Sequence, residues 1–318
     1  MTDKFGRKID YLRISITDLC NLRCIYCMPE EGVEKMSHEK ILSYEDIIYF
    51  VKIFSKRDLK KIRLTGGEPL VRPKLEYLVK ELKKIESIQE LTMTTNGILL
   101  DKKAKNLKKA GLDRVNISLD TLDRGKFKKI TRRDKLEDVL KGLKAAVKHE
   151  LKPIKINTVV MKNFNTDEIF DFVDFAIKNG FEWRFIEFMP LGGVKIVQED
   201  YFISNKIIKE KIEEKYDLEK ISKPNSLVAD VYKIKNTCAK IGFISPLTHK
   251  FCHKCNRIRM TADGKVIPCL LSDIDIDISK AVKKRNKNEV EKIIDKILKS
   301  KPKEHNFKGY KNMSKMGG

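Results

Sequence analysis

Hydrophobic and polar positions along the first 190 residues alternate with two periods in turn. Short runs rich in β-branched residues, at 10–16, 61–65, 90–95, 114–119, 154–161 and 183–188, read as strands. Between them the period lengthens to that of amphipathic helices over 44–54, 74–85, 102–109, 136–149 and 166–179, with Gly111 and Gly180 placed as helix stops. Six strands separated by crossover helices specify a parallel sheet, and right-handed units of this kind wind toward a barrel. A closed eight-unit barrel takes about 250 residues. Because the pattern changes near Gly192, the expectation is an α/β fold with a partial, open (βα)6 TIM-like barrel.

Beyond that point the pattern differs. A charged helix and connection fill 198–223, and the run Ser-Lys-Pro-Asn-Ser at 222–226 is a turn-rich break. Short strands follow at 231–234, 240–244, 257–261 and 265–268, with Asp263-Gly264 as a hairpin turn, then helices from about Ile278 and Glu289. The expected division is a barrel domain over 1–225 and a C-terminal domain over 226–318 holding a small antiparallel sheet and helices.

Charge complicates the picture. The 318 residues carry a formal +22, which ordinarily suggests a polyanion such as nucleic acid. Most of that surplus is Lys on helical stretches, and a solvated lysine face is the plainer explanation. Arg is scarcer and more informative, since its planar fork grips phosphate or carboxylate bidentately. No apolar run approaches the length that crosses a bilayer, and residues 1–10 lack the apolar core of a secretory signal, so a cytoplasmic protein without a membrane partner is expected.

Seven cysteines, an odd number, do not suit a disulfide framework in a reducing compartment. Six fall into two triplets. Cys20-X3-Cys24-X2-Cys27 follows the first strand on the edge where barrel enzymes build active sites. A structural zinc or an ordinary iron-sulfur cluster takes four ligands. Three leave either an open iron or a zinc completed from afar, for instance by His38. Thr65-Gly66-Gly67-Glu68-Pro69 ends the second strand, where glycines permit close approach of backbone and positive φ, and Thr94-Thr95-Asn96-Gly97 and Ser118-Leu119-Asp120 end the third and fourth. The second triplet, Cys252-X2-Cys255-X13-Cys269, brackets the expected hairpin. A zinc ribbon completed by His249, His253 or Cys238 stays open there. Alternation puts Arg257 and Arg259 on one strand face beside those cysteines.

The first triplet with Tyr26 before its last cysteine, followed by Gly-Gly-Glu-Pro, resembles the radical S-adenosylmethionine superfamily. Adding Cys-X2-Cys-Asn-Arg-Ile-Arg, a third cysteine 14 positions on and a terminal Gly317-Gly318, the chain is similar along its length to the GTP 3′,8-cyclase family of molybdenum cofactor biosynthesis. The resemblance implies two [4Fe-4S] clusters, one on Cys20, Cys24 and Cys27 and one on Cys252, Cys255 and Cys269, each with an open iron. The first chelates S-adenosylmethionine, with contacts at Tyr26, Gly67, Ser118 and Met189. The second contacts the guanine of GTP, whose further contacts are Arg13, Arg63, Thr94, Lys155 and Arg257, Ile258 and Arg259. A 5′-deoxyadenosyl radical removes hydrogen from C3′ of GTP, and C3′ then joins C8 to give 3′,8-cyclo-7,8-dihydro-GTP. Arg13, Gly317 and Gly318 take catalytic parts, the glycines by reaching into the site from a tail whose Lys311 and Met316 depart from the usual family residues. Implied partners are GTP, an electron-donor protein and the next enzyme of the pathway, which takes the product; a homodimer is left open and nucleic acid is not implied. Another radical S-adenosylmethionine enzyme with an auxiliary cluster is the alternative. On its own residues alone, Lys155 reads as a solvated strand position and Cys238 as a small apolar filler.

Overall fold

The computed structural model describes residues 1–34, 36–37, 39–189, 198–221 and 228–305. Six strands stand where the alternation puts them: β1 (Tyr11–Ser15), β2 (Lys61–Thr65), β3 (Glu90–Thr95), β4 (Arg114–Ser118), β5 (Lys155–Val160) and β6 (Glu182–Glu187). Each runs parallel to the next. Helices Tyr44–Ser55, Leu75–Lys83, Leu100–Ala110, Leu136–Lys148 and Ile169–Asn179 cross between them. Local chemistry sets their ends. Ser43 and Asp46 form a reciprocal capping box, and Gly111 (φ 103°) and Gly180 (φ 67°) close two helices in the left-handed conformation. An unforeseen helix, Arg124–Thr131, is short and lysine-rich, and buries little beyond Phe127, Ile130 and Thr131.

The C-terminal strands correct one expectation. They are β7 (Leu218–Lys220), β8 (Asp230–Ile234), β9 (Lys240–Ile244), β10 (Arg257–Met260), β11 (Lys265–Ile267) and β12 (Ile276–Asp277). Antiparallel pairs do form, β8 with β9 and β10 with β11, but they make no separate sheet. Instead β9 joins β6 in parallel and β10 joins β1 in parallel. One open sheet of 12 strands results, ordered β12-β11-β10-β1-β2-β3-β4-β5-β6-β9-β8-β7. The reason is physical: a six-strand open barrel has two bare edges of unpaired N–H and C=O groups, and the C-terminal segment covers both.

Every strand of the parallel array turns one face outward beneath the helices. Leu12 and Ile14, Ile62 and Leu64, Val115 and Ile117, Trp183 and Phe185 lie in one apolar core with the helix faces. Phe172 stacks on Trp183 at 4.9 Å between ring centroids, and each such side chain contributes about 1.5–3 kcal/mol by its burial. The helix Lys287–Ser300 returns to the first helix, tied by Arg57–Asp295 at 2.6 Å and, just upstream, Arg285–Asp46 at 2.8 Å. Cys238 is exposed in the β8–β9 connection, not an apolar filler. Among the described residues no helix is long and apolar enough to cross a membrane.

Candidate active site

The inner strand faces are polar, and that decides what the barrel can do. Tyr11 and Arg13, Arg63, Thr92 and Thr94, Arg114 and Asn116, Lys155 and Asn157, Glu182 and Arg184 alternate with the outward core residues. Most of them line a single cavity of about 620 Å³. Ordinary barrels fill this space with branched apolar side chains; here it is left for a ligand.

Register sets the charges in rows. Arg259, Arg13 and Arg63 are Cα partners across β10, β1 and β2, and Thr92 and Arg114 continue the row. Above it lie Thr94, Asn116, Lys155 and Glu182. Like charges directly opposite each other repel. Burial first, then the neighbouring Arg257, pulls Arg259 down to about 10. Arg63 also falls to about 10, through burial opposed by Tyr11 and aided by Arg114, and burial with Arg259 and Arg63 depresses Arg13 strongly. Arg259 and Arg63, at about 10, remain cations near neutrality, so the row favours an anion lying against it. Farther along, carboxylates offset the charge: Arg114 Nε meets Glu90 at 2.6 Å and Lys155 Nζ meets Glu182 at 2.9 Å. Lys155 is 4% exposed, which corrects its reading as a solvated residue. Burial and Arg184 outweigh Glu182 and bring its ammonium down to about 7.

Cys20, Cys24 and Cys27 face the cavity from the loop after β1. Burial, not φ, explains the adjacent glycines. Neither Gly66 nor Gly67 has positive φ, but a Cβ on Gly67 would lie 2.4 Å from the Leu19 carbonyl and one on Gly66 2.7 Å from that of Thr17. Gly67 N–H donates to Thr17 O and Glu68 N–H to Leu19 O, each at 2.8 Å. The buried Glu68 carboxylate then accepts from Thr95 Oγ1 (2.7 Å), Asn96 N–H (2.7 Å) and Leu70 N–H (3.0 Å), and burial raises it to about 7. So the second motif anchors the cysteine loop to the end of β3. Burial also raises the thiols, Cys20 to about 11 and Cys27 to about 12, with Cys24 well above its ordinary value. Metal loading here must therefore expel protons. Tyr26 donates to Asp120 at 2.7 Å, and Tyr26, Gly67, Ser118 and Met189 all line the same cavity.

At the opposite side stand Cys252, Cys255 and Cys269, on the loops before β10 and after β11. Burial alone would raise the Cys255 thiol, but Arg257 and Lys301 outweigh it and bring it to about 6. Arg257 and Arg259 face the cavity as alternation requires; Ile258 between them sits in the apolar core, so its side chain is not part of the site. His249, His253 and Cys238 are exposed and do not line the cavity. Of the remaining residues singled out from sequence, His38, Lys311, Met316, Gly317 and Gly318 lie outside the described residues.

Comparison with known proteins agrees with this layout. The Radical SAM superfamily matches residues 14–176 and the Molybdenum Cofactor Synthesis C family matches 181–307. A GTP 3′,8-cyclase of Petrotoga mobilis is 46% identical over the full length of both chains, and one of Thermodesulfovibrio yellowstonii is likewise 46% identical over both. That of Peptoclostridium acidaminophilum is 45% identical over 100% of this chain and 98% of its own. The chain belongs to the GTP 3′,8-cyclase family. Solved structures share the fold at low identity. Streptococcus suis SuiB superposes with TM-score 0.63 at 15% identity, covering 89% of this chain but only 65% of SuiB, and anSMEcpe with bound AdoMet gives 0.54 at 17%, covering 88% and 81%.

Several cavity residues of this GTP 3′,8-cyclase family member escaped the sequence reading: Tyr11, Arg114, Asn116, Arg184 and Lys301. The first four carry a signal that alternation could have revealed. In Arg114-Val115-Asn116-Ile117-Ser118 the polar residues all fall on the face opposite Val115 and Ile117. Lys301 carries none, because a lysine at a helix end reads as solvated.

Proposed function

We propose that this chain is a GTP 3′,8-cyclase, a radical S-adenosylmethionine enzyme that converts GTP to 3′,8-cyclo-7,8-dihydro-GTP in the first step of molybdenum cofactor biosynthesis. The observation that carries this is one cavity lined by both cysteine triplets with an arginine row between them. Three buried or half-buried thiols in each set fit a four-iron cluster that leaves one iron for a small molecule. Cys20, Cys24 and Cys27 would hold the first, with S-adenosylmethionine against Tyr26, Gly67, Ser118 and Met189; Cys252, Cys255 and Cys269 would hold the second. When bound and reduced by an external electron-donor protein, the first cluster would supply the electron that breaks the sulfonium–C5′ bond of S-adenosylmethionine, leaving methionine and a 5′-deoxyadenosyl radical. Residues 1–225 and 226–318 thus serve one triplet each, although their strands share a sheet.

The chain's own side chains do the positioning. Arg13, Arg63, Arg259, Lys155 and Arg257, with the Thr94 hydroxyl, would receive GTP, and triphosphate oxygens relieve the repulsion that the row bears without a ligand. Holding C3′ within reach of C8, and both near the first triplet, is an orientation task suited to rigid strands rather than loops.

Anaerobic incubation of the reconstituted, reduced protein with S-adenosylmethionine tests the reading. We expect 5′-deoxyadenosine release coupled to loss of GTP, with little turnover of ATP; equal turnover of both nucleotides defeats it. Cys252→Ser should still cleave S-adenosylmethionine but yield no cyclic product, and normal product from it counts against a role for the second triplet.

A further inference from the structure

Lys301 follows the helix Lys287–Ser300 and is 1% exposed, a burial that an unpaired ammonium rarely tolerates. Its Nζ donates to the Arg257 carbonyl at 2.7 Å, to the Pro268 carbonyl at 2.9 Å and to Cys255 Sγ at 3.6 Å. Among the described residues it meets no carboxylate. These three partners sit on the two strand ends that present Cys255 and Cys269, since Pro268 immediately precedes Cys269.

Arg7 offers a contrast. It also reaches this region, donating to Cys252 O at 2.8 Å and to Pro302 O at 2.6 Å, but its Nε is already matched by Asp3 at 2.6 Å. Arg7 therefore arrives matched by a carboxylate, whereas among the described residues the anionic neighbours of Lys301 are the sulfurs of Cys255 and Cys269. A cation placed so suits sulfurs that carry negative charge, as they do on a metal cluster.

We propose that Lys301 is the positioning residue of the second cysteine site, where its ammonium neutralises cluster charge and holds the Cys255 and Cys269 segments at one separation. This rests on the second-cluster reading above. Cluster and ammonium then stabilise one another.

Lys301→Met, which keeps the chain length and removes the charge, tests this in the full-length protein. After anaerobic reconstitution the wild type should hold about eight irons and the variant about four, with S-adenosylmethionine cleavage at the first site within about twofold of wild type. If the variant retains the second cluster, its reduction potential should fall, because a nearby positive charge is lost. Without metal Lys301→Met should melt below wild type, because the Arg257 and Pro268 carbonyls lose their buried donor. Full iron with an unshifted potential overturns the proposal. Wild type whose iron content is unchanged by replacing Cys252, Cys255 and Cys269 together with Ser fails differently, because it refutes the two-cluster reading without reference to Lys301.

Discussion

Lys155 shows how one residue combines two environments. Its 2.9 Å contact with Glu182 favours the ammonium, while burial and Arg184 disfavour it more, and the balance lies at about 7. A lysine depressed in the fold from 10.5 binds fewer protons folded than unfolded between those values. This group therefore destabilises the ligand-free fold at low pH, and that cost fades as pH rises from about 7 toward 10.5. Triphosphate oxygens would restore the charged form. GTP binding at about pH 8 is thus expected to take up close to one proton, and at about pH 6 almost none. Calorimetry in buffers of different ionisation enthalpy measures this directly; a buffer-independent enthalpy at both pH values removes Lys155 from the phosphate site.

Elements carry the next constraint. Each parallel strand presents a polar inner and an apolar outer face, so the cavity wall and the core are built by the same five or six residues. The loops at the strand ends must then approach closely, and Gly66 and Gly67 are where they do. Gly67→Ala would drive a Cβ to 2.4 Å from Leu19 O and 2.6 Å from Asp18 O, both backbone atoms that cannot rotate away. We expect this overpacking to cost about 1–3 kcal/mol, read as a lower urea midpoint of the metal-free chain, together with reduced iron at Cys20, Cys24 and Cys27. A variant of unchanged midpoint and iron content would mean that the 17–19 loop yields freely.

At the scale of the whole molecule, the +22 net charge acts in two places. Inside, the Arg259–Arg13–Arg63 row is built into the sheet by register. Outside, many lysines pair in exposed bridges such as Lys84–Glu81 and Lys209–Glu213, each worth about 0–1 kcal/mol. The net surplus of positive charge sets a long-range field that draws anions. GTP capture should consequently slow about tenfold as salt rises from about 0.01 to 0.1 M, where the Debye length shrinks from about 30 to 10 Å. Stopped-flow binding that is indifferent to salt would reduce the lysine surplus to solubility alone.

Much of this architecture was legible in the chain itself. Periods of two and of three to four residues are local properties, and they located six strands, five of their helices and the hairpin at Gly264, whose φ is 86° in the structure. The cysteine spacings likewise marked both triplets. Pairing was not legible, because edge hydrogen bonding joins segments far apart and leaves no local trace. Only the tertiary structure put β10 beside β1 and β9 beside β6, and with them Cys252, Cys255 and Cys269 across one cavity from Cys20, Cys24 and Cys27. It alone also turned Lys301 inward, for the surroundings of a lysine at a helix end depend on what the rest of the chain packs against it.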